Sequence, residues 1–173
     1  MIPKVLKNFN LFIDGTAYAG LVEELTLPKL SLKMDEYRNG GMDVPIDLEM
    51  GMDKLECDFT LSEYDTDSID MFGLRDGAQV SLKFLGGLDG EGDASNVVSV
   101  EVLVNGALKD LDMGSWKAGE KAPLKSTVCV RYYKLSIGGV EKVEIIPDSL
   151  VRRINGVNQL NAMQTAIGMA ATA

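Results

Sequence analysis

Apolar residues alternate with polar residues along much of the chain, and this period of two constrains the fold more than any other feature. Successive side chains of a β-strand point to opposite faces, so the pattern is typical of strands with one buried face. It is clearest over residues 55–61, 98–104 and 124–137. Eighteen glycines and 6% aromatic residues also favour strands and turns over a helical bundle. We therefore predict a mainly β fold, a small β-sandwich or barrel of about seven to nine strands, with one flanking α-helix and a long extended hairpin arm.

Two of these strands indicate how the sheet is placed. Residues 55–61 and 124–135 carry polar or charged side chains on the face opposite the apolar one. In the longer strand, Val128, Val130 and Tyr132 are predicted to share the apolar face. A sheet of this kind has one side on a core and one side in water.

The stretch 25–61 is not a simple hairpin. Two alternating runs, 25–34 and 55–61, flank a centre that is rich in Gly, Met and Asp. A loop of this length without structure of its own is uncommon in a compact domain, which favours a functional arm. We expect the outer runs to belong to the main sheet and the centre to join copies of the protein. The predicted contact arm consists of Tyr37, Arg38, Asn39, Gly40, Gly41, Met42, Asp43, Val44, Pro45, Ile46, Asp47, Leu48, Glu49, Met50, Gly51, Met52, Asp53 and Lys54.

The alternation slips by one residue at two places in this stretch, Pro28-Lys29 and Asp53-Lys54. Because a strand has a period of two, a slip without a break implies a bulge or a bend. Pro28 cannot donate a hydrogen bond to a sheet, so we expect the first strand to be kinked or at an edge there. The second slip is expected to mark the point where the arm returns to the sheet.

The net charge of −9 is concentrated in one quarter of the chain. Residues 35–76 contain thirteen acidic and three basic residues, a net charge of −10, and the remainder carries +1. A concentrated negative charge repels a nucleic acid backbone or meets a basic partner. Met34, Met42, Met50 and Met52 lie in the same region. We expect them to form an interface more than a core, because methionine adapts to varied surfaces.

The remaining predicted elements are short. Residues 65–73 are expected to form a helix that is capped by Asp65 or Thr66 and ended by Gly73. The small residues of 164–173 predict a flexible C-terminal tail. We expect all of 1–173 to form a single domain, because the length suits one well-buried core.

The chain contains no histidine, which removes the commonest general base and most zinc sites. Residues 114–121 resemble a phosphate-binding loop only superficially, because the lysine is displaced and alanine follows it. Asp65 and Asp67 begin like a calcium loop that the later positions do not continue. The acidic turn 86–93 is more typical of a solvated loop than of a cation site. We predict no enzymatic activity, no cofactor and no metal.

Cys57 and Cys129 each lie in an alternating pattern, and both are expected to be buried free thiols. No run of about 18 apolar residues is present, and the apolar stretch at the N-terminus is too short for a signal peptide. We expect no contact with a membrane, and synthesis and folding in the cytoplasm.

Five segments are distinctive as whole motifs. They are IPKVLKNFNLFIDG, LTLPKLSLKMDEYRNGGMDVPIDLEMGMDKLE, WKAGEKAP, VRYYKL and INGVNQL. Together, and in order over nearly the whole chain, they resemble the major tail tube proteins of P2-like contractile-tailed phages and the related tube proteins of R-type pyocins. The chain departs from that family at the acidic turn 86–93 and in the small residues after Met163.

The resemblance implies a subunit that forms hexameric rings, which stack into a hollow tube inside a contractile sheath. In that family, strands of adjacent subunits join into a barrel that lines the lumen, and a long loop reaches the neighbouring ring. Here that loop corresponds to the predicted contact arm. The implied partners are further copies of the chain, the tail sheath protein, the tape measure and baseplate proteins, and DNA that passes through the lumen without specific binding. The implied locations are the host cytoplasm during assembly and then the virion or a tail-like particle.

Two other functions remain open at the level of the sequence. A ring-forming cargo carrier of a contractile secretion system would share the tube architecture, but its end product would be a discrete ring with a bound protein. Glycan or cell-surface binding would need an aromatic platform, and the sequence offers no candidate cluster for one. The residues also leave open whether the particle is a phage that injects DNA or a bacteriocin without DNA.

Overall fold

The computed structural model describes residues 3–74, 78–90 and 96–171, and most of them lie in antiparallel β-strands. Ten strands form one large sheet, and two further strands form a small sheet of their own. The helices are α1 (Thr66–Asp70), α2 (Asn161–Ala166) and a 3-10 turn (Pro147–Ser149). The strands are β1 (Val5–Ile13), β2 (Thr16–Ala17), β3 (Val22–Thr26), β4 (Leu32–Tyr37), β5 (Ile46–Met52), β6 (Glu56–Leu61), β7 (Val80–Asp89), β8 (Val98–Asp112), β9 (Leu124–Ile137), β10 (Val140–Ile146), β11 (Val151–Ile154) and β12 (Val157–Asn158).

The mainly β fold class predicted from the alternation is confirmed. The described residues contain twelve strands instead of the expected seven to nine. The difference arises because β2, β11 and β12 contain two, four and two residues, too few to produce an alternating pattern. Helix α2 is present in addition to the one flanking helix that was predicted.

The two longest strands, β8 and β9, pair with each other and give the large sheet its shape. The first part of β8, residues 98–106, also pairs with β7 on its other side. Strand β9 pairs with β6 through its first half and with β10 through its second half. The ribbon of β8 and β9 therefore passes from one layer into another. The first layer has the order β2-β1-β7-β8-β9-β10-β11-β12, and the second has the order β8-β9-β6-β3.

Apolar side chains from both layers meet in one core. Leu82 and Val104 come from the first layer, whereas Phe59, Leu61 and Val128 come from the second, and all five are buried. Removing such side chains from water contributes about 25 cal/mol for each Å² of apolar surface. The one-sided pattern of 55–61 thus predicts the burial correctly, and the two layers form a sandwich.

A β-bulge lies where the ribbon of β8 and β9 bends. Gly106 pairs with Val130, whereas the preceding residue of β8 pairs with Tyr132, so Arg131 is left out of the ladder. The extra residue reverses which side chains face the core, and Tyr133 is buried in place of Tyr132. The predicted apolar face therefore ends at Val130, and the placement of Tyr132 on it is wrong.

Helix α1 begins at the predicted cap, Asp65. The Asp65 carboxylate accepts hydrogen bonds from the backbone N–H and the hydroxyl of Ser68 at 2.8 and 2.7 Å, and from the hydroxyl of Tyr18 at 2.8 Å. Burial by itself would raise the pKa of Asp65, but the hydrogen bonds from Ser68 and Tyr18 hold it below its usual value. The helix ends at Asp70, earlier than the predicted residue 73.

The hydrogen bonds to Asp65 are expected to stabilise the native state at neutral pH, and this stabilisation is expected to be lost in acid. A carboxyl group whose pKa falls on folding stabilises the native state above its unfolded pKa of about 3.9, and the contribution disappears as the pH drops through the lower folded value. We expect Asp65→Ala to reduce the free energy of unfolding at neutral pH by about 1–2 kcal/mol, the usual cost of losing a helix cap. The difference from wild type should shrink below about pH 4.

Urea unfolding at neutral pH and near pH 3 measures this difference directly. Tyr18→Phe is the matched control, because it removes one hydrogen bond to Asp65 and leaves the cap in place. We expect a smaller loss for it at neutral pH. A loss for Asp65→Ala that is the same at both pH values would contradict the assignment.

The C-terminal segment is held by a buried amide network. Gln164 of α2 is fully buried and donates to the carbonyl of Ser149 at 2.9 Å. Asn158 of β12 donates to the side-chain oxygen of Gln164 at 3.2 Å, and its own oxygen accepts from the backbone N–H of Arg152 at 3.2 Å. The predicted flexible tail, 164–173, thus overlaps α2 by three residues, and its last two residues lie outside the described part of the chain.

Both cysteines are free thiols, as predicted. Cys57 is buried, and burial raises its pKa to about 12, which keeps the thiol protonated. Cys129 differs from the expectation because it is only half-buried. Its neighbours Val128 and Val130 face the core, so its side chain points to the outer face of the second layer.

Candidate self-assembly site

The predicted contact arm lies on a hairpin that stands apart from the main sheet. Among the described residues, β4 and β5 pair only with each other, and Tyr37 lies opposite Ile46. We call residues 32–52 the arm hairpin. It begins five residues before the predicted arm of 37–54, because β4 pairs with β5 as far back as Leu32.

The strand predicted over 25–34 is divided between two sheets. Strand β3 ends at Thr26 and β4 begins at Leu32, and no strand covers residues 27–31 between them. Pro28 offers no N–H to a ladder, so pairing stops there instead of bending. The expectation that all of 25–34 belongs to the main sheet is therefore wrong, since residues 32–34 belong to the arm hairpin.

The arm hairpin has one apolar and one acidic face. Directly opposed residues of an antiparallel pair project to the same side. The mainly acidic face therefore carries Glu36 opposite Asp47 and Glu49 opposite Met34, whereas Asp35 lies opposite Leu48 on the mainly apolar face. The apolar face is formed by side chains that are between 41% and 59% exposed, namely Tyr37, Ile46, Leu48 and Met50.

Single large apolar side chains are also exposed in other strands, such as β10 and β12, but the arm hairpin carries four of them on one face. A two-stranded hairpin is at best marginally stable in water by itself. Large apolar side chains grouped on one exposed face mark an interaction surface. At the tip, Val44 is 68% exposed and extends the apolar surface away from the body of the protein.

The root of the arm hairpin is fixed to the body of the protein. The backbone N–H of Asp53 donates to the carbonyl of Ser31 at 3.0 Å and closes the hairpin at its base. Arg152 of β11 donates to the Glu49 carboxylate at 2.5 Å. Met52 packs against the core. The second slip in the alternation thus marks the return of the arm to the sheet, as predicted.

The four methionines of this region lie in different environments. Met34 and Met50 are 50% and 59% exposed, whereas Met42 is half-buried and Met52 packs against the core. Met52 therefore serves the core. For Met34 and Met50 the interface role stays a prediction.

The second layer of the sandwich has two open edges. Strand β3 pairs with β6 and with no other strand in the described ranges. At the opposite edge, within the described residues, 109–112 of β8 have a strand neighbour only on the β9 side, and the adjacent Leu108 forms an isolated bridge with Phe72. An open edge presents unpaired backbone N–H and C=O groups to any strand that approaches. The edge expected near Pro28 agrees with the position of β3, whereas the sequence pattern contains no signal for the edge at 109–112.

The outer face of the second layer is acidic. The hydroxyl of Thr127 donates to Asp58 at 2.6 Å across this face. Hydrogen bonds from Lys54 and Lys109 lower the pKa of Glu56, so this carboxylate stays ionised in water. The alternation of buried residues in β3, β6, β8 and β9 assigns to this face the charged residues Glu24, Glu56, Asp58, Asp110, Asp112 and Lys125. Lys109 lies on it as well, because its ammonium group contacts Glu56 and Asp110.

Two candidate cation sites of the sequence have other environments in the structure. Asp65 caps α1. Residues 86–89 of the predicted acidic turn 86–93 belong to β7 instead, and Glu91 and Asp93 lie in the part of the chain that is not described. Within the described ranges, no group of three or more acidic or cysteine residues could hold a metal ion. None of the helices described here has the length and hydropathy of a membrane span.

The arm hairpin and both open edges lie within a region that matches a known family. The model of the family described as Phage tail tube protein FII matches residues 3–168. The chain belongs to this phage tail tube family. The tail tube protein of Escherichia phage P2 is 32% identical over 171 residues, which cover 97% of this chain and 99% of that protein. The major tail tube protein of Serratia phage KSP20 is 29% identical over 167 residues, which cover 91% of each chain.

A phage tail tube protein is a structural component of the virion. The resemblance carried by the five sequence motifs is therefore confirmed. Sequence reasoning located the hairpin at 37–54, whose role as a contact arm stays a prediction, but it missed the open edge at residues 109–112. It also assigned no role to Trp116.

Proposed function

We propose that this tail tube protein assembles into hexameric rings that stack into a hollow tube inside a contractile sheath. The observation that carries the proposal is the second layer, a four-stranded antiparallel sheet with two open edges and an acidic outer face. Open edges invite pairing with another chain. A closed ring of copies pairs every edge and leaves none exposed.

The strand order favours such closure. The order β3-β6-β9-β8 contains an even number of antiparallel strands, so its two edge strands run in opposite directions. When copies are related by rotation about an axis along the strands, β8 of one copy meets β3 of the next in the antiparallel sense. Four strands from each of six copies form a barrel of about 24 strands, wider than porins of about 16–18 strands, which already hold a water-filled channel.

In this ring the acidic outer face of the second layer lines the lumen. Carboxylates along a channel repel the phosphate backbone of nucleic acid, and on this face five acidic residues outnumber Lys109 and Lys125. Asp58, Asp110 and Asp112 belong to this face. DNA therefore passes through the tube without adhering to its wall.

The arm hairpin forms the contact between rings. Its apolar face docks on the neighbouring ring, and the contact is head-to-tail, so it does not close on itself and rings stack into an open-ended tube. The whole chain, 1–173, acts as a single structural domain without enzymatic activity. Its further partners are the sheath, tape measure and baseplate proteins, and assembly takes place in the host cytoplasm.

Electron microscopy of the purified protein, alone and co-expressed with its tail partners, tests the proposal. We expect rings alone and tubes under the second condition. A protein that stays monomeric over a wide concentration range under both conditions would refute it. A discrete ring with a bound protein as the end product would instead indicate a cargo carrier of a contractile secretion system.

A further inference from the structure

Trp116, the only tryptophan of the chain, is 79% exposed and yet held in one orientation. Its indole N–H donates to the hydroxyl of Tyr64 at 2.6 Å, and that hydroxyl donates to the carbonyl of Met113 at 2.5 Å. The two aromatic rings lie with their centroids 6.5 Å apart. A tryptophan that is already ordered loses little conformational freedom on binding, and tryptophan is enriched among the residues that dominate interface energies.

A cleft of about 590 Å³ lies beside the start of β3. Its lining comes from three segments, residues 8–10 of β1, residues 85–87 of β7, and the 18–23 segment that leads into β3. Phe9, Val22 and Leu85 contribute apolar surface to it. Its volume lies within the range of about 300–1,000 Å³ that is typical of clefts for drug-sized ligands, so an indole ring fits.

The cleft and Trp116 lie at opposite edges of the second layer. Trp116 follows the end of β8 at one edge, where its partner Tyr64 bonds to Met113, whereas the cleft adjoins β3 at the other edge. These edge strands are three strand spacings, or about 14 Å, apart, and Lys121 of the loop after Trp116 crosses the layer to pair with Glu23. In its own chain Trp116 contacts Tyr64 and stays exposed. The strand order therefore brings Trp116 of a neighbouring copy to the cleft.

Antiparallel pairing between copies brings the two features to the same level. Strand β8 ends at Asp112, four residues before Trp116, and β3 begins at Val22. When β8 of one copy runs antiparallel to β3 of the next, the end of β8 lies beside the start of β3. We infer that Trp116 inserts into the cleft of the neighbouring copy and anchors the lateral contact within each ring. This inference rests on the proposed ring.

The fluorescence of Trp116 reports on this contact without any substitution. We expect the emission to shift to shorter wavelength and acrylamide quenching to fall several-fold when rings form. A variant in which the arm hairpin is replaced by Gly-Gly should show the same change, because the contact belongs to ring formation and not to stacking. Emission that stays at the exposed position in rings seen by electron microscopy would overturn the inference and leave the proposed function intact. Absence of rings in the wild-type protein would overturn both.

Substitutions on each side of the contact complete the test. Trp116→Ala is expected to raise the protein concentration at which rings form about 30-fold, the effect of losing a dominant interface residue. Ala19→Glu, which adds a charge at the cleft, should have a similar effect. Ala166→Glu is the matched control, because Ala166 is exposed on α2 and does not line the cleft. Ring formation that is unchanged in both Trp116→Ala and Ala19→Glu would overturn the inference.

Discussion

Removal of the arm hairpin is expected to abolish tubes while leaving the sandwich folded. The carbonyl of Ser31 and the N–H of Asp53 are already 3.0 Å apart, so a Gly-Gly link can replace residues 32–52 without stretching the main chain. The large side chains of the core come from other strands, and Met52 is the part of the arm hairpin that packs against them. Circular dichroism should retain its β signal, and electron microscopy should show separate rings. Tubes of normal length would contradict the assignment.

A finer test separates the two faces of the arm hairpin. Ile46→Ser combined with Leu48→Ser removes two large side chains from the apolar face, each worth about 1.5–3 kcal/mol when fully buried in a contact. Because the loss is repeated at every subunit of a ring, we expect no stacking. Asp47→Ser is the matched control on the same strand and the opposite face, and it should leave tubes intact. Equal loss of tubes in both variants would assign the contact to the whole hairpin.

Gly106→Ala is expected to destabilise the fold strongly. A Cβ atom at position 106 would lie 2.0 Å from the carbonyl oxygen of Cys129 and 3.0 Å from Cγ1 of Val128. The backbone oxygen cannot move by rotating a side chain, so the ribbon of β8 and β9 must separate where it bends. Forcing extra atoms into a packed site costs about 1–3 kcal/mol and occasionally more. We expect a loss at the upper end of that range, a large part of the stability of a typical domain.

Urea unfolding and the yield of soluble protein measure this effect. Gly40→Ala is the matched control, because a Cβ atom at position 40 would meet nothing within 4 Å. An exposed substitution of that kind changes stability by about 0.5 kcal/mol or less. If the two variants unfold at the same urea concentration, the close approach at Gly106 does not constrain the fold.

The alternation predicts burial well wherever a strand keeps one register. Cys57, Phe59 and Leu61 face the core as their spacing requires. The same reasoning fails after Val130, because the bulge at Arg131 depends on how β9 pairs with β8 and leaves no mark on the order of apolar residues. A period of two specifies the faces of a strand, but not the points at which its ladder skips a residue.

A periodic pattern also does not show which strand a given strand pairs with. Leu32 and Met34 resume the alternation of Leu25 and Leu27 one residue out of phase, and they belong to the arm hairpin, whereas β3 ends before Leu27. Pro28 marks the position of the break, but a kink and a change of sheet give the same sequence signal. The open edges depend on pairings between distant segments, such as β6 with β9, and so only the three-dimensional structure reveals them.

The ribbon of β8 and β9 has a mechanical consequence for the proposed tube. Two layers that meet only through side chains can slide past each other under shear, since dispersion contacts are individually weak and not directional. Here the same two strands continue from the second layer, the proposed lumen wall, into the first, so relative sliding would require backbone hydrogen bonds to break in register. In the proposed tube, these continuous strands make each subunit stiff against a load along the tube axis.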